Sequence, residues 1–270
     1  MAGMTEQLLV SPEWLVAHHA DPNVRVIDPR KPEEYVNSHV PGSINARNDY
    51  KDIARPLHVM PPDQAAAAIR ALGISANTQV IVLGDGMLSG RAWWFLRYHG
   101  HADTRISDGG FAAYVAAGGP VSTDAVTVPS GDYAPRVDPS LICLADELRR
   151  ELGATTKVLD VRSDAEWQGS NTMNHVRVGH VPGASHIVWT DMLVAQEPYV
   201  FRTPQEMRAI LERKGITATD RVVTVCEVGW RAAHTAFALR LAGLSDVRVY
   251  DASMREWDNR EDLPLDPPAA

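Results

Sequence analysis

The chain has 270 residues, 45% hydrophobic and 22% charged, with a formal net charge of −8 at pH 7, which suits one large globular domain or two of ordinary size. The negative balance argues against nucleic acid as a partner, and no apolar run approaches the ~18 residues of a membrane span. Two cysteines, Cys143 and Cys226, are too few for a disulfide framework. The start, M-A-G-M-T-E-Q, lacks a basic, apolar signal sequence, so a reducing cytoplasm is the expected compartment.

In chain order, V-I-D-P-R (Val26 to Arg30) is the first strand end. H-V-P-G-S (His39 to Ser43), L-G-I-S-A-N-T-Q-V-I-V (from Leu72) and G-H-A-D-T-R-I-S-D (Gly100 to Asp108) follow. Each recurs in the second half: V-L-D-V-R (Val158 to Arg162), H-V-P-G-A (His180 to Ala184), K-G-I-T-A-T-D-R-V-V-T (from Lys214) and G-L-S-D-V-R-V-Y-D (Gly243 to Asp251). Matches in one order at a nearly constant offset mean two domains of the same fold, since the period far exceeds that of solenoid repeats. Between them, Gly118 to Ser140 holds Gly119, Pro120, Pro129, Gly131, Pro135 and Pro139 with little apolar periodicity, the composition of a linker. The expected division is a first domain at 1–123, a linker at 124–138 and a second domain at 139–270.

Within each half, short apolar runs alternate with helical patterns, which predicts an α/β fold: two tandem domains, each a mainly parallel sheet flanked by helices. In the second half Val158–Asp160, Val222–Val225 and Val247–Tyr250 read as strands. Thr203-Pro204-Gln205-Glu206 predicts a capped helix running to Lys214. A helix after Arg231 runs to Leu241 and stops before Gly243; Gly90 to His99 plays the same part in the first half.

The segment V-V-T-V-C-E-V-G-W-R-A-A-H-T (Val222 to Thr235) carries the chemistry. A β-branched run delivers Cys226 into a tight loop in which Gly229 allows the turn, Arg231 closes it, and a helix begins at once. Backbone N–H groups of Glu227, Val228, Gly229, Trp230 and Arg231 are expected to converge on the sulfur, and the helix start adds positive potential. Both favour thiolate, the nucleophilic form. The plain alternative is a buried core cysteine at a strand end. Cys143, in the apolar run L-I-C-L-A, is expected to be inert.

Together the D-x-R strand end, the H-V-P-G turn, the cysteine loop and the closing S-M-R-E-W-D-N segment resemble the tandem-domain rhodanese family of sulfurtransferases, from Leu9 to Leu265. In that family the amino-terminal domain is usually catalytically silent and the carboxy-terminal one carries the cysteine. Here Leu83-Gly84-Asp85-Gly86 stands where Cys226 ends its strand, so the first domain is expected to be a silent structural partner. The resemblance implies a small sulfur donor, a Cys226 persulfide and a thiophilic acceptor such as cyanide, thioredoxin or another thiol, with ping-pong kinetics. No cofactor and no metal is expected.

Six residues from Cys226 to Arg231 fit sulfur, whereas related phosphatase loops hold one residue more. C-E-V-G-W-R departs both from loops with basic residues after the cysteine, which suit thiosulfate, and from C-G-S-G-V-T, common with 3-mercaptopyruvate. Glu227 is expected to weaken dianion binding unless it points to solvent, with Arg231 compensating in part. Asp49 and His58 resemble an acid–histidine relay of mercaptopyruvate enzymes, and Arg177 resembles their carboxylate-binding arginine, but Val228 replaces the serine such a relay needs. Thiosulfate is therefore the favoured donor, with mercaptopyruvate and a carrier loaded by a protein donor as alternatives. Asp160, Arg162, His180, Trp93 and Trp94 read as structural, Trp230 as cleft wall or loop cap, and Asp251, Ser253 and Trp257 as the closing segment.

Overall fold

The computed structural model describes residues 7–268; residues 1–6, in the stretch read for a signal sequence, lie outside them. The first half contains strands β1 (Leu9–Val10), β2 (Val24–Asp28), β3 (Ile44–Asn45), β4 (Gln79–Leu83) and β5 (Thr104–Ser107). Its helices are α1 (Pro12–His18), α2 (Pro32–Asn37), α3 (Pro62–Ala71), α4 (Met87–Tyr98) and α5 (Gly110–Ala116). The second half has α6 (Ala145–Glu151), β6 (Thr156–Asp160), α7 (Asp164–Trp167), β7 (Ser185–His186), β8 (Leu193–Gln196) and β9 (Tyr199–Phe201). It continues with α8 (Pro204–Glu212), β10 (Arg221–Val225), α9 (Trp230–Leu241), β11 (Val247–Val249) and α10 (Ser253–Trp257).

The first sheet runs β1-β5-β4-β2-β3 and the second β11-β10-β6-β7, with parallel pairing throughout. A parallel bridge from Ile142 to Val249 stands where β1 flanks β5 in the first sheet. The central strands β4 and β10 are buried on both faces, which is why they read as near-continuous apolar runs (V-I-V-L and V-V-T-V) and not as alternating ones. Register aligns Val225 with Asp160, so the D-x-R strand end and Cys226 emerge side by side at the carboxyl edge, where α/β sheets place their sites.

The expected strands and helices are present with shifted ends. α4 begins at Met87, ahead of Gly90, and α8 stops at Glu212. The Thr203 cap forms as read, its hydroxyl accepting the Glu206 N–H while the Glu206 carboxylate accepts the Thr203 N–H.

α4 and α9, the helices that follow the two central strands, pack on each other across the domains. Trp93 meets Phe237 edge-on at 5.0 Å, and both belong to one apolar cluster spanning the two halves. The indole N–H groups of Trp93 and Trp94 donate to Thr104 O and Leu141 O, each at 3.0 Å, so these large side chains are buried without an orphaned donor. The stretch read as a linker does more than connect. Gly131 N–H donates to Arg70 O at 2.9 Å, Arg136 N–H to His99 O at 2.9 Å, and the buried Tyr133 hydroxyl to His99 O at 3.1 Å. Its glycines and prolines hide a docked strap, because the docking uses backbone hydrogen bonds that leave no periodic pattern.

Candidate active site

β10 ends at Val225 and α9 starts at Trp230, which leaves Cys226 to Gly229 to make the turn. Gly229 closes it at φ +87°, left-handed backbone that side chains disfavour. A Cβ there would lie 2.4 Å from Asp251 O, so Gly229 is required by space as well as by conformation. Its N–H points to Cys226 Sγ at 3.1 Å. Cys226 itself is 1% exposed.

The loop is fastened to the closing segment. Ser253 Oγ accepts the Cys226 N–H at 3.1 Å and donates its proton to Tyr250 O at 2.7 Å, with Sγ 3.9 Å away. Ser253 achieves this at φ +53°, a cost of order 1–2 kcal/mol for a residue with a side chain. Met254 N–H and Arg255 N–H then hold the carbonyls of Cys226 and Glu227 at 3.1 and 3.0 Å.

Arg231 forms a two-pronged pair with Glu166, at 2.6 and 2.7 Å. Burial alone would raise the Glu166 carboxyl, but the Arg231 guanidinium and the Ser163 hydroxyl overrule it and bring it down to about 2. Burial likewise opposes the charge of Arg231, and Glu166 and the Cys226 sulfur more than restore it. Arg231 thus sits as a fixed cation near the sulfur, already committed to a carboxylate.

Glu227 corrects one expectation. Its side chain is buried, yet it lies in a charge cluster: Oε1 is 2.9 Å from His175 Nε2 and 2.6 Å from the Arg255 guanidinium. His175 Nδ1 in turn lies 2.7 Å from Asp258 Oδ2. Burial pushes the Asp258 carboxyl up to about 6 against the pull of His175 and Arg162. Glu227 therefore does not point to solvent, and its carboxylate is paired with Arg255 inside the second domain.

The other candidates scatter. Asp49 is exposed, its carboxylate accepting the Lys51 N–H at 3.2 Å. No hydrogen bond joins it to His58, whose backbone bonds to Asp52 and Arg55. Arg177 donates to Arg260 O, and to Leu263 O at 2.6 Å, so it clamps the end of the chain. Val228 and Trp230 are half-buried on the loop, and Trp230 Nε1 is buried without a hydrogen-bond partner. From the first domain, Lys51 Nζ and Arg91 Nη1 both reach Asp251 Oδ1, at 2.8 and 2.5 Å. Among the described residues no group of three or more His, Cys, Asp or Glu could hold a metal ion.

Sequence reasoning missed Glu166, His175 and Lys51. Ser163-x-x-Glu166 is a legible capping box, and it does form, but nothing local shows that the same carboxylate faces Arg231. The residues read as structural are so: Arg162 forks onto Asp160 with its closest contact at 2.7 Å, and His180 stacks on Trp167 at 3.8 Å. Burial pushes the Cys143 thiol up to about 12, which leaves it a poor nucleophile at neutral pH.

The first domain repeats the scaffold without the thiol. Arg30 forks onto Asp28 as Arg162 does onto Asp160. At Gly84, the counterpart of Cys226, a Cβ would lie 2.2 Å from Ser107 O, so no side chain fits. Asp85 turns its carboxylate against Gly110, the counterpart of Ser253; a Cβ there would stand 2.5 Å from Asp85 Oδ1. Burial pushes that carboxyl up to about 6.

A repeated parallel α/β domain with one cysteine held at a strand-to-helix turn defines a recognisable class. Both domains match the rhodanese-like domain family, over residues 11–117 and 144–260. The chain is 31% identical over 278 residues to the sulfur carrier protein TtuD of Thermus thermophilus, with 96% of each covered. It is 30% identical to the thiosulfate sulfurtransferase of Bos taurus, covering 93% of this chain and 92% of that one. In structure it is similar to SseA from Escherichia coli, a 3-mercaptopyruvate sulfotransferase, with a TM-score of 0.82 at 27% identity over 92% of this chain and 98% of that chain. The chain belongs to the rhodanese family and, by class, is a transferase of sulfur-containing groups. Among the described residues no helix is long and apolar enough to cross a membrane.

Proposed function

We propose that the chain moves sulfane sulfur from a small donor to a thiophilic acceptor through a persulfide on Cys226. The thiolate attacks the outer sulfur of thiosulfate, forming an S–S bond while the bond to sulfite breaks and sulfite leaves with the electron pair. Cyanide, or a thiol such as that of thioredoxin, then attacks the outer persulfide sulfur and the Cys226 thiolate departs. The observation that carries this reading is the Gly229 N–H held 3.1 Å from Sγ, a fixed donor to anionic sulfur as an oxyanion-hole donor is to oxygen. The first domain, with Gly84 at the cysteine's place, acts as a catalytically silent partner, consistent with the division at 1–123, 124–138 and 139–270.

Thiosulfate is favoured as donor on two grounds. Glu227 is paired with the Arg255 guanidinium at 2.6 Å, which offsets part of the repulsion a dianion would meet. The mercaptopyruvate relay has no support: Asp49 and His58 are not bonded to each other, and Val228 brings no hydroxyl. A second reading, a carrier loaded by a protein donor, is favoured by the likeness to TtuD.

The test is sulfur transfer to cyanide from thiosulfate and from 3-mercaptopyruvate, with mass spectrometry of the Cys226 peptide, for wild type and Cys226→Ser. Turnover with thiosulfate that vanishes in Cys226→Ser is expected. Activity that survives the substitution removes Cys226 from the mechanism. A persulfide that loads from a protein donor but turns over with neither small donor selects the carrier reading.

A further inference from the structure

Lys51 is a buried cation of the first domain that the two transfer steps leave unused. Its ammonium meets Leu57 O at 2.8 Å, Asp251 Oδ1 at 2.8 Å and Asp251 O at 3.2 Å, an acceptor for each of its protons. Arg91, fully buried on α4, places Nη1 on the same Asp251 Oδ1 at 2.5 Å. Two cations thus face one carboxylate, and Asp251 Oδ2 is buried with no hydrogen-bond partner. A buried cluster with net positive charge is unfavourable unless an anion lies within reach.

A group able to supply that anion is Cys226, on the loop that Asp251 faces. Asp251 backs directly onto the cysteine loop. A Cβ on Gly229 would lie 2.6 Å from Asp251 Oδ1, and the Gly229 N–H is the one on Sγ. The chain is also shaped to deliver the ammonium. Tyr50 takes φ +55°, held by stacking on Phe95 at 4.2 Å and by Arg91 Nε on Asp49 O at 2.7 Å. A left-handed tyrosine is strained, and here the strain turns Lys51 across the domain interface.

We propose that Lys51 is a positioning residue of the transfer centre: from the non-catalytic domain it supplies positive charge beside Cys226 that draws an anionic donor to the sulfur. This rests on Cys226 being the nucleophile. Burial first, then the Arg91 charge, push the Lys51 ammonium down to about 8, with Asp251 and Cys226 pulling the other way. The charge is therefore present below pH 8 and lost above it. Of the other groups facing this segment, the Asp49 carboxylate is exposed and occupied by the Lys51 N–H, Asp52 is taken by Arg55 at 2.9 Å, and His58 adjoins Leu57, whose carbonyl accepts from the Lys51 ammonium. Burial raises the Tyr50 and Tyr98 phenols, so neither competes for a proton near pH 8.

The test compares alkylation of Cys226 by iodoacetate, an anion, and by iodoacetamide, which is neutral, between about pH 6 and about pH 10. Both reagents report the same sulfur, so the ratio of their rates isolates the field around it. In wild type the ratio falls about fivefold, the size expected of one partly screened charge, with a midpoint near the Lys51 value of about 8. Lys51→Met shows a low ratio at every pH, and Lys51→Arg keeps a high ratio across the range. A wild-type ratio that does not change with pH, or a Lys51→Met profile like wild type, overturns the proposal. Should Lys51→Met not fold, wild type against Lys51→Arg decides it, because only lysine loses its charge near pH 8. A wild type with the expected ratio profile but no sulfur transfer from any donor would sustain the role of Lys51 and defeat the functional reading alone.

Discussion

Replacing Gly229 with alanine places a methyl carbon 2.4 Å from Asp251 O and 2.6 Å from its Oδ1. Neither atom can retreat: Lys51 bonds to both and Arg91 to the second. The loop must yield, and with it the N–H that meets Cys226 Sγ at 3.1 Å. Overpacking of this kind costs about 1–3 kcal/mol, and the left-handed backbone adds about 1 kcal/mol. Loss of one oriented donor to a reacting anion lowers turnover by about 10²–10³-fold. Gly183 is the control, with φ +72° and nothing within 4 Å of an added Cβ. Gly183→Ala should lose only the backbone contribution, about 1 kcal/mol, and keep full activity. The assay is sulfur transfer to cyanide alongside thermal unfolding of both variants. Wild-type transfer by Gly229→Ala, or equal stability losses for the two, would refute the reasoning.

Ser253→Ala removes the acceptor of the Cys226 N–H and the hydroxyl 3.9 Å from Sγ. About 1 kcal/mol of stability should be lost, and persulfide formation should slow; an unchanged loading rate in stopped-flow measurements denies Ser253 a part. Glu166 ionises near 2 in the folded protein against an ordinary 4.5, so its stabilisation is complete above pH 4.5 and lost as pH falls toward 2. Glu166→Gln should be less stable than wild type at pH 7, and the gap should close on acidification in melts across that window. Asp85 has the opposite sign, about 6 folded against 3.8, so its buried carboxylate costs stability above pH 6. Asp85→Asn is expected to gain about 3 kcal/mol at pH 8, an advantage that shrinks as pH drops from 6 to 3.8; a gain unaffected by pH would contradict it.

The features legible in the sequence are those that neighbours along the chain decide. Two tandem domains followed from repeated strand ends and turns, whose geometry is set within a few residues. The Thr203 capping box was readable for the same reason, and so was the glycine-containing turn after Cys226. Strand and helix ends moved by a few residues, because the last turn of an element depends on what it packs against.

The charge environment of the sulfur was not legible in this way. The sequence directed attention to the segment from Asp49 to His58 as the first domain's contribution, and to those two residues within it. The segment does reach the second domain, but through Lys51, whose partner Asp251 is 200 positions away. Glu227 looked like a repulsive charge until folding brought Arg255 and His175 beside it, and Arg231, read as closing the loop and offsetting Glu227, is committed to Glu166. By itself the sequence determined the fold, the repeat and the cysteine turn, since backbone conformation and apolar periodicity are local properties. Only the tertiary structure decided which charges surround the sulfur, because Coulomb partners are chosen by the packing of α4 on α9 and of one domain against the other, and separation along the chain carries no record of that choice.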